Sequence, residues 1–269
     1  MWSAGQAGEV KVPAGEAKVP AGEVKVPAGG TAVLASERLL EVIPPLAPLV
    51  PGGGLRRGTT VVVPAGATPG ATSLALSLLV GPSAAGGWLA AVGLPDLGLM
   101  AAAQMGVRLD RLAVVARPGE HWPAVTAALL DSMDAVLLRP PPVMGAVDAR
   151  RLGARARERG AVLVVSEDQP GGWPERADLR LAVVGATPYG LEGGYGHFGG
   201  RRVVVEATGR GEASRPRRAT LWLPAGDGGV AAAGPDAAGD GGVAAAGPDA
   251  AGTGRGGRLV ETPPSRRAG

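Results

Sequence analysis

The chain has 269 residues, among them 46 glycines, 25 prolines and no cysteine, and a formal net charge of +3. The missing cysteines exclude disulfides, thiolate metal sites and cysteine nucleophiles, and His121 and His197 do not make a zinc site on their own. The charge excess comes from arginine, since Lys11, Lys18 and Lys25 are the only lysines, and arginine beside abundant Ala, Gly and Val reads first as a GC-rich coding sequence.

Glycine and proline concentrate before Ala32 and after Pro224, where few large apolar side chains offset the entropy of ordering the backbone. The first segment repeats Gly-Glu-Val/Ala-Lys-Val-Pro-Ala from Gly8, Gly15 and Gly22. A coiled-coil heptad is ruled out by Pro13, Pro20 and Pro27, each costing about 3 kcal/mol inside a helix. A second repeat runs from Gly226 to Ala238 and again, unchanged, from Gly239 to Ala251. Residues 1–35 and 225–269 are therefore expected to be disordered tails around one domain, 36–224. The N-terminus lacks a basic and apolar leader, and no apolar run reaches the roughly 18 residues of a membrane span, so a cytoplasmic protein is expected.

Ser36 to Ile43 reads as a short N-capped helix stopped by Pro44-Pro45. An α/β pattern follows: strand Thr59 to Val63, helix Thr72 to Val80, strand Trp88 to Val92, helix Leu97 to Met105, strand Leu112 to Ala116, helix Pro123 to Met133 and strand Asp134 to Leu138. Val147 to Arg159 carries an apolar strip of Leu152 and alanines opposite Arg150, Arg151, Arg155, Arg157 and Glu158. Gly160 ends this helix, and strand Ala161 to Val165 comes next. This alternation implies parallel β-α-β crossovers with helices on both faces of a sheet. Leu179 to Val184, Arg202 to Ala207 and Arg218 to Leu223 read as strands without helices between them, so the sheet is expected to finish antiparallel.

Between the first strand and its helix lies Pro64-Ala65-Gly66-Ala67-Thr68-Pro69-Gly70-Ala71-Thr72-Ser73, where an α/β nucleotide-binding domain carries its Walker A loop. In G-x-x-x-x-G-K-[ST] the backbone wraps the phosphates, lysine neutralises their outer oxygens and the hydroxyl holds magnesium. With Gly70 as the second glycine and Thr72 as the hydroxyl, Ala65 takes the first glycine's place and Ala71 the lysine's. Any strand-to-helix turn also collects Gly, Ala and Thr, so the loop alone leaves both readings open.

The lead-in Pro51-Gly52-Gly53-Gly54-Leu55-Arg56-Arg57-Gly58 resembles the G-G-L-x-x-G of RecA-family ATPases, and Met105-Gly106-Val107 with Leu109-Asp110 resembles a downstream RecA stretch. The resemblance implies a RecA-like, three-layer P-loop-type core. It also places Leu94 where the water-activating glutamate belongs, with Asp96 the nearest carboxylate, and Arg139 where the Walker B aspartate supports magnesium. Leucine is no general base, and a cation repels the metal. The resemblance thus implies a pseudo-ATPase with no catalytic residue and no required cofactor, in which Arg139 either meets a phosphate or acidic partner group or pairs with a nearby carboxylate.

Leu46 to Gly58, Gly70 to Leu76 and Val92 to Gly98, continuing through Asp148 to Val164 and Arg217-Arg218-Ala219-Thr220-Leu221-Trp222-Leu223-Pro224, resemble the actinobacterial ImuA-type mutagenesis proteins over roughly Glu37 to Pro224. This implies an accessory role in DNA-damage-induced (SOS) translesion synthesis, beside the Y-family-like protein ImuB and an alternative replicative polymerase subunit. Two alternatives stay open: a SulA-like cell-division inhibitor, which shares the RecA-like core, and a DNA-stimulated ATPase or recombinase paralogue.

For binding, Arg201, Arg202, Arg210, Arg215, Arg217 and Arg218 outnumber Glu206 and Glu212 around the last strands and form the candidate basic patch for DNA or a partner. Tyr195, His197 and Phe198, near Tyr189 in the Gly-rich loop Gly190 to Gly200, either stack on bases, cover the sheet edge or meet ImuB.

Overall fold

The computed structural model describes residues 39–64, 68–168, 172–190 and 199–234. The expected N-terminal tail and the expected C-terminal tail beyond Gly234 lie outside the described residues.

Strands form where β-branched and aliphatic residues run without interruption, and these runs build one nine-stranded sheet. In chain order its parallel members are β3 (Thr60–Val63), β4 (Leu89–Val92), β5 (Leu112–Val115), β6 (Ala135–Leu138), β7 (Val162–Ser166) and β8 (Leu179–Tyr189). They lie side by side as β8-β3-β7-β6-β4-β5. Beyond β8, the strands β9 (Gly200–Gly209), β10 (Arg217–Trp222) and β11 (Ala231–Ala232) continue the sheet antiparallel. The first two strands, β1 (Leu39–Glu41) and β2 (Gly54–Arg56), form a separate antiparallel ribbon. The architecture is a three-layer α/β core with antiparallel C-terminal strands, as the RecA resemblance leads one to expect.

Each central strand is buried on both faces, and alternate residues feed two cores. Val61, Val63, Ala91, Leu137 and Val164 join the core beneath helices α1 (Ala71–Ala84) and α2 (Leu99–Gln104). Val62, Val92, Val136, Leu138 and Leu163 join the core beneath α3 (Trp122–Leu130) and α4 (Ala146–Arg159). The period of two along each strand assigns these faces.

Two helices show how sequence pattern meets burial. α4 buries Ala149, Leu152, Gly153 and Ala156, a narrow stripe of mostly small residues, and ends at Gly160 with φ +70°. α1 has no polar stripe, because Leu74 to Ser83 is buried throughout. The sheet covers one side of it and the N-terminal ribbon packs on the other, so closely that a Cβ at Gly81 would stand 2.1 Å from the Glu41 carbonyl oxygen.

That ribbon corrects one expectation. The predicted helix from Ser36 to Ile43 is β1 at Leu39–Glu41, with Leu40 opposite Leu55; Ser36, Glu37 and Arg38 lie outside the described residues. So short a helix is marginal in water, whereas pairing with Gly54–Arg56 satisfies the backbone and buries Leu40 and Leu55 together. A second correction falls at the other end. The predicted tail from Ala225 includes β11, paired with β10 at Leu221↔Ala232 and Trp222↔Ala231, while Val230 packs on the core.

Candidate functional site

Four neighbouring strands deliver the site to the carboxyl edge of the sheet in the order β3, β7, β6, β4. β3 leads into the small-residue loop, of which Ala65 and Gly66 lie outside the described residues. The loop returns at Thr68 and enters α1 through Gly70, whose φ of +124° suits glycine alone. β7 ends at Ser166, opposite Val63, and the next backbone N–H, that of Glu167, donates to the Val63 carbonyl at 3.0 Å. Glu167 and Asp168 therefore emerge beside the loop. Arg139 follows β6, and Gly93 with Asp96 follow β4, where Gly93 has φ +78° and a Cβ would stand 2.3 Å from the Arg139 carbonyl.

From this middle position the Arg139 side chain, 11% exposed, reaches both sides. Nη1 donates to Asp96 Oδ1 at 2.6 Å and Nη2 to Thr72 Oγ1 at 3.2 Å. Nε lies 3.0 Å from Asp168 Oδ1 without the alignment of a hydrogen bond, so that contact is an ion pair alone. Asp96 is held below the ordinary carboxylate range, first by a hydrogen bond from its own backbone N–H and then by Arg139. Of the two readings of Arg139, pairing with a nearby carboxylate is the one observed, twice over.

These residues do not fit a magnesium-bound nucleotide. The threonine hydroxyl and carboxylates that would face the metal face a tethered guanidinium. Ala71 offers no cation for outer phosphate oxygens, and Leu94 is 1% exposed inside the core beneath α1. Among the described residues no group of three His, Cys, Asp or Glu side chains is placed to hold a metal.

Two cavities open here. A smaller one, about 240 Å³, is bounded by Thr68 to Ser73 with Glu167, Asp168 and Arg201. A larger one, about 730 Å³, lies over the ends of β4, β5 and β6 and holds Asp96, Glu120, Trp122, Arg139 and Asp168. Sequence reading passed over Glu167 and Asp168. Their signal was a carboxylate pair directly after a fully buried parallel strand. Glu167 is itself 2% exposed, a rarity for an acid, and accepts from the Trp173 backbone N–H at 2.8 Å and from Arg180 at 3.4 Å.

The six C-terminal arginines do not form one patch. Arg201 and Arg202 stand at the start of β9, whereas Arg210 follows its end, about 30 Å away at the strand rise per residue. Arg218 pairs with Glu206 across β10 and β9 at 2.7 Å, and Arg217 Nη2 lies 3.5 Å from the Glu212 carbonyl. Arg215 is exposed in the turn before β10. Strand direction divides what looked contiguous. Tyr195, His197 and Phe198 lie outside the described residues; Tyr189 meets Trp222 edge to face at 5.9 Å.

Fold and site together define an α/β domain with a large, mostly parallel sheet, antiparallel C-terminal strands and an arginine held between carboxylates at the carboxyl edge. Residues 48–175 match the family model described as the MT3502 N-terminal domain. The chain is also 39% identical over 173 residues, 60% of its length, to the Mycobacterium tuberculosis protein named Uncharacterized protein Rv3395c, 80% of which is covered. The chain belongs to the same family as this Mycobacterium tuberculosis protein. No helix among the described residues is long and apolar enough to cross a membrane.

Proposed function

We propose that this protein is a non-hydrolysing RecA-like adaptor, an accessory of the translesion-synthesis complex in the DNA-damage (SOS) response that binds an ImuB-like Y-family protein. The carrying observation for the loss of hydrolysis is the Arg139 guanidinium shared by Thr72, Asp96 and Asp168. A site that holds its own cation has no place for magnesium, and with Ala71 and Leu94 it lacks both the phosphate-binding charge and the base. The mutagenesis setting is supported by the sequence resemblance from Glu37 to Pro224 to ImuA-type proteins, and the mycobacterial relative is compatible with it.

Two measurements test the reading. Purified protein incubated with ATP, magnesium and single-stranded DNA is expected to release phosphate no faster than buffer, and turnover abolished by Thr72→Ala would overturn the first half. Co-purification with ImuB, together with loss of damage-induced mutation in a deletion strain, tests the second half. Filamentous cells on overexpression, with no ImuB in the pull-down, would move the assignment to a division inhibitor.

A further inference from the structure

We infer that the larger crevice over β4, β5 and β6 is a docking site for an arginine- or lysine-bearing, otherwise apolar segment of a partner protein. The inference rests on the adaptor half of the proposed function and not on its mutagenesis half.

The first argument is charge. Three carboxylates, Asp96, Glu120 and Asp168, share this cavity with a single cation, Arg139. Much of that cation's charge is already offset: Nη1 donates to Asp96, Nη2 donates to Thr72, and Nε is ion-paired with Asp168. Glu120 is an exposed carboxylate with no hydrogen bond or ion pair among the described residues. An incoming cation therefore finds an unpaired carboxylate, whereas an incoming phosphate meets three carboxylates against one cation.

The second argument is the wall. Pro95, Pro118, Pro140, Pro141 and Pro142 line the cavity together with Trp122. Proline has no backbone N–H, so the wall presents carbonyl acceptors and apolar ring faces, which suit a donor-rich side chain on a greasy stem and repel an oxyanion. Proline also restricts φ, so the crevice is shaped before the ligand arrives and little entropy is lost on binding. Trp122, 8% exposed, adds apolar surface to this wall.

The rim of the crevice distinguishes a peptide from a small free cation. Val143 lines the mouth and is 91% exposed, an apolar side chain that a peptide flanking the cation would cover and a small cation would leave wet. A cavity of about 730 Å³ falls in the range that buries most of a drug-sized ligand, hence one anchoring side chain with its neighbours.

The test uses the full chain and fluorescence anisotropy with a labelled peptide alternating leucine and arginine, beside the same peptide with glutamate for arginine. The arginine peptide is expected to bind at least about tenfold more tightly than the glutamate peptide and to weaken as salt rises. Glu120→Lys and Val143→Ser, both at exposed positions that leave the core untouched, are each expected to weaken it, the charge reversal about fivefold or more. Arg56→Glu, at the opposite end of the sheet, is expected to leave it unchanged. Equal binding of the two peptides, indifference to Glu120→Lys, or preference for a single-stranded oligonucleotide would overturn the inference. So would a dimer in sedimentation that Glu120→Lys dissolves, since the occupant would then be a second copy. A failed ImuB pull-down with peptide binding intact removes that partner from the proposed function and leaves the site.

Discussion

Arg139 illustrates how one side chain ties together the ends of neighbouring strands. Its position, one residue beyond a buried strand at the middle of the carboxyl edge, brings it within reach of a hydroxyl on one side and a carboxylate on the other. Replacing it with alanine leaves Asp96 and Asp168 facing each other without a counter-charge and Thr72 without its donor. Both carboxylates stay largely in water, 69% and 58% exposed, so much of the loss is screened. Arg139→Ala is expected to lower unfolding free energy by roughly 1–3 kcal/mol, checked by the urea midpoint at constant slope. A cation directly after a buried strand was legible in sequence. The partners were not, because Asp96 and Asp168 lie 43 and 29 residues away and only the strand order makes them neighbours.

At the scale of elements, most of the α/β alternation was legible because the fold depends on patterns that repeat along the chain. The α4 stripe and the buried runs of β3, β6 and β7 are of this kind. The N-terminal ribbon was not, since Leu39 to Glu41 becomes a strand only when Gly54–Arg56 comes back to pair with it. Its tight seat on α1 yields a prediction. Gly81→Ala would push a methyl into the Glu41 carbonyl, a backbone atom that does not move freely. The expected cost is about 1–3 kcal/mol, despite alanine's better helix propensity, and an increase in stability would show that the ribbon detaches readily. The basic patch failed for a related reason. Arg201 and Arg202 stand at one end of β9, and Arg210, Arg217 and Arg218 gather at the other, about 30 Å away.

For the whole molecule, the exposed charges give a pH dependence of known sign. Asp131 at the end of α3 accepts from Arg155 Nε at 2.5 Å and Nη2 at 2.7 Å, and also meets Arg159 at 3.2 Å, tying α3 to α4. Arg155 above all holds the Asp131 carboxyl below its ordinary value, while Arg108 does so for Asp110. A depressed folded pKa contributes stability that is present above the unfolded value, about 3.9, and lost as pH falls through the folded one. Melting temperature is therefore expected to drop as pH is lowered past about 4, and to drop less for Asp131→Asn. An unchanged acid limb in that variant would mean the pair contributes nothing net, as exposed pairs sometimes do.

The sequence by itself determined the layer pattern, the small-residue loop with Ala71 and Thr72, the leucine at position 94 and the cation at position 139. These are local or periodic properties, written in spacing and residue type. Only the tertiary structure decided that Arg139 is already held, that Glu167 and Asp168 belong to the loop's surroundings, and that a proline-walled acidic crevice stands beside them. The reason is physical: parallel strands that are neighbours in the sheet are far apart in the chain, so the row of side chains along their carboxyl ends exists only once the crossovers are made.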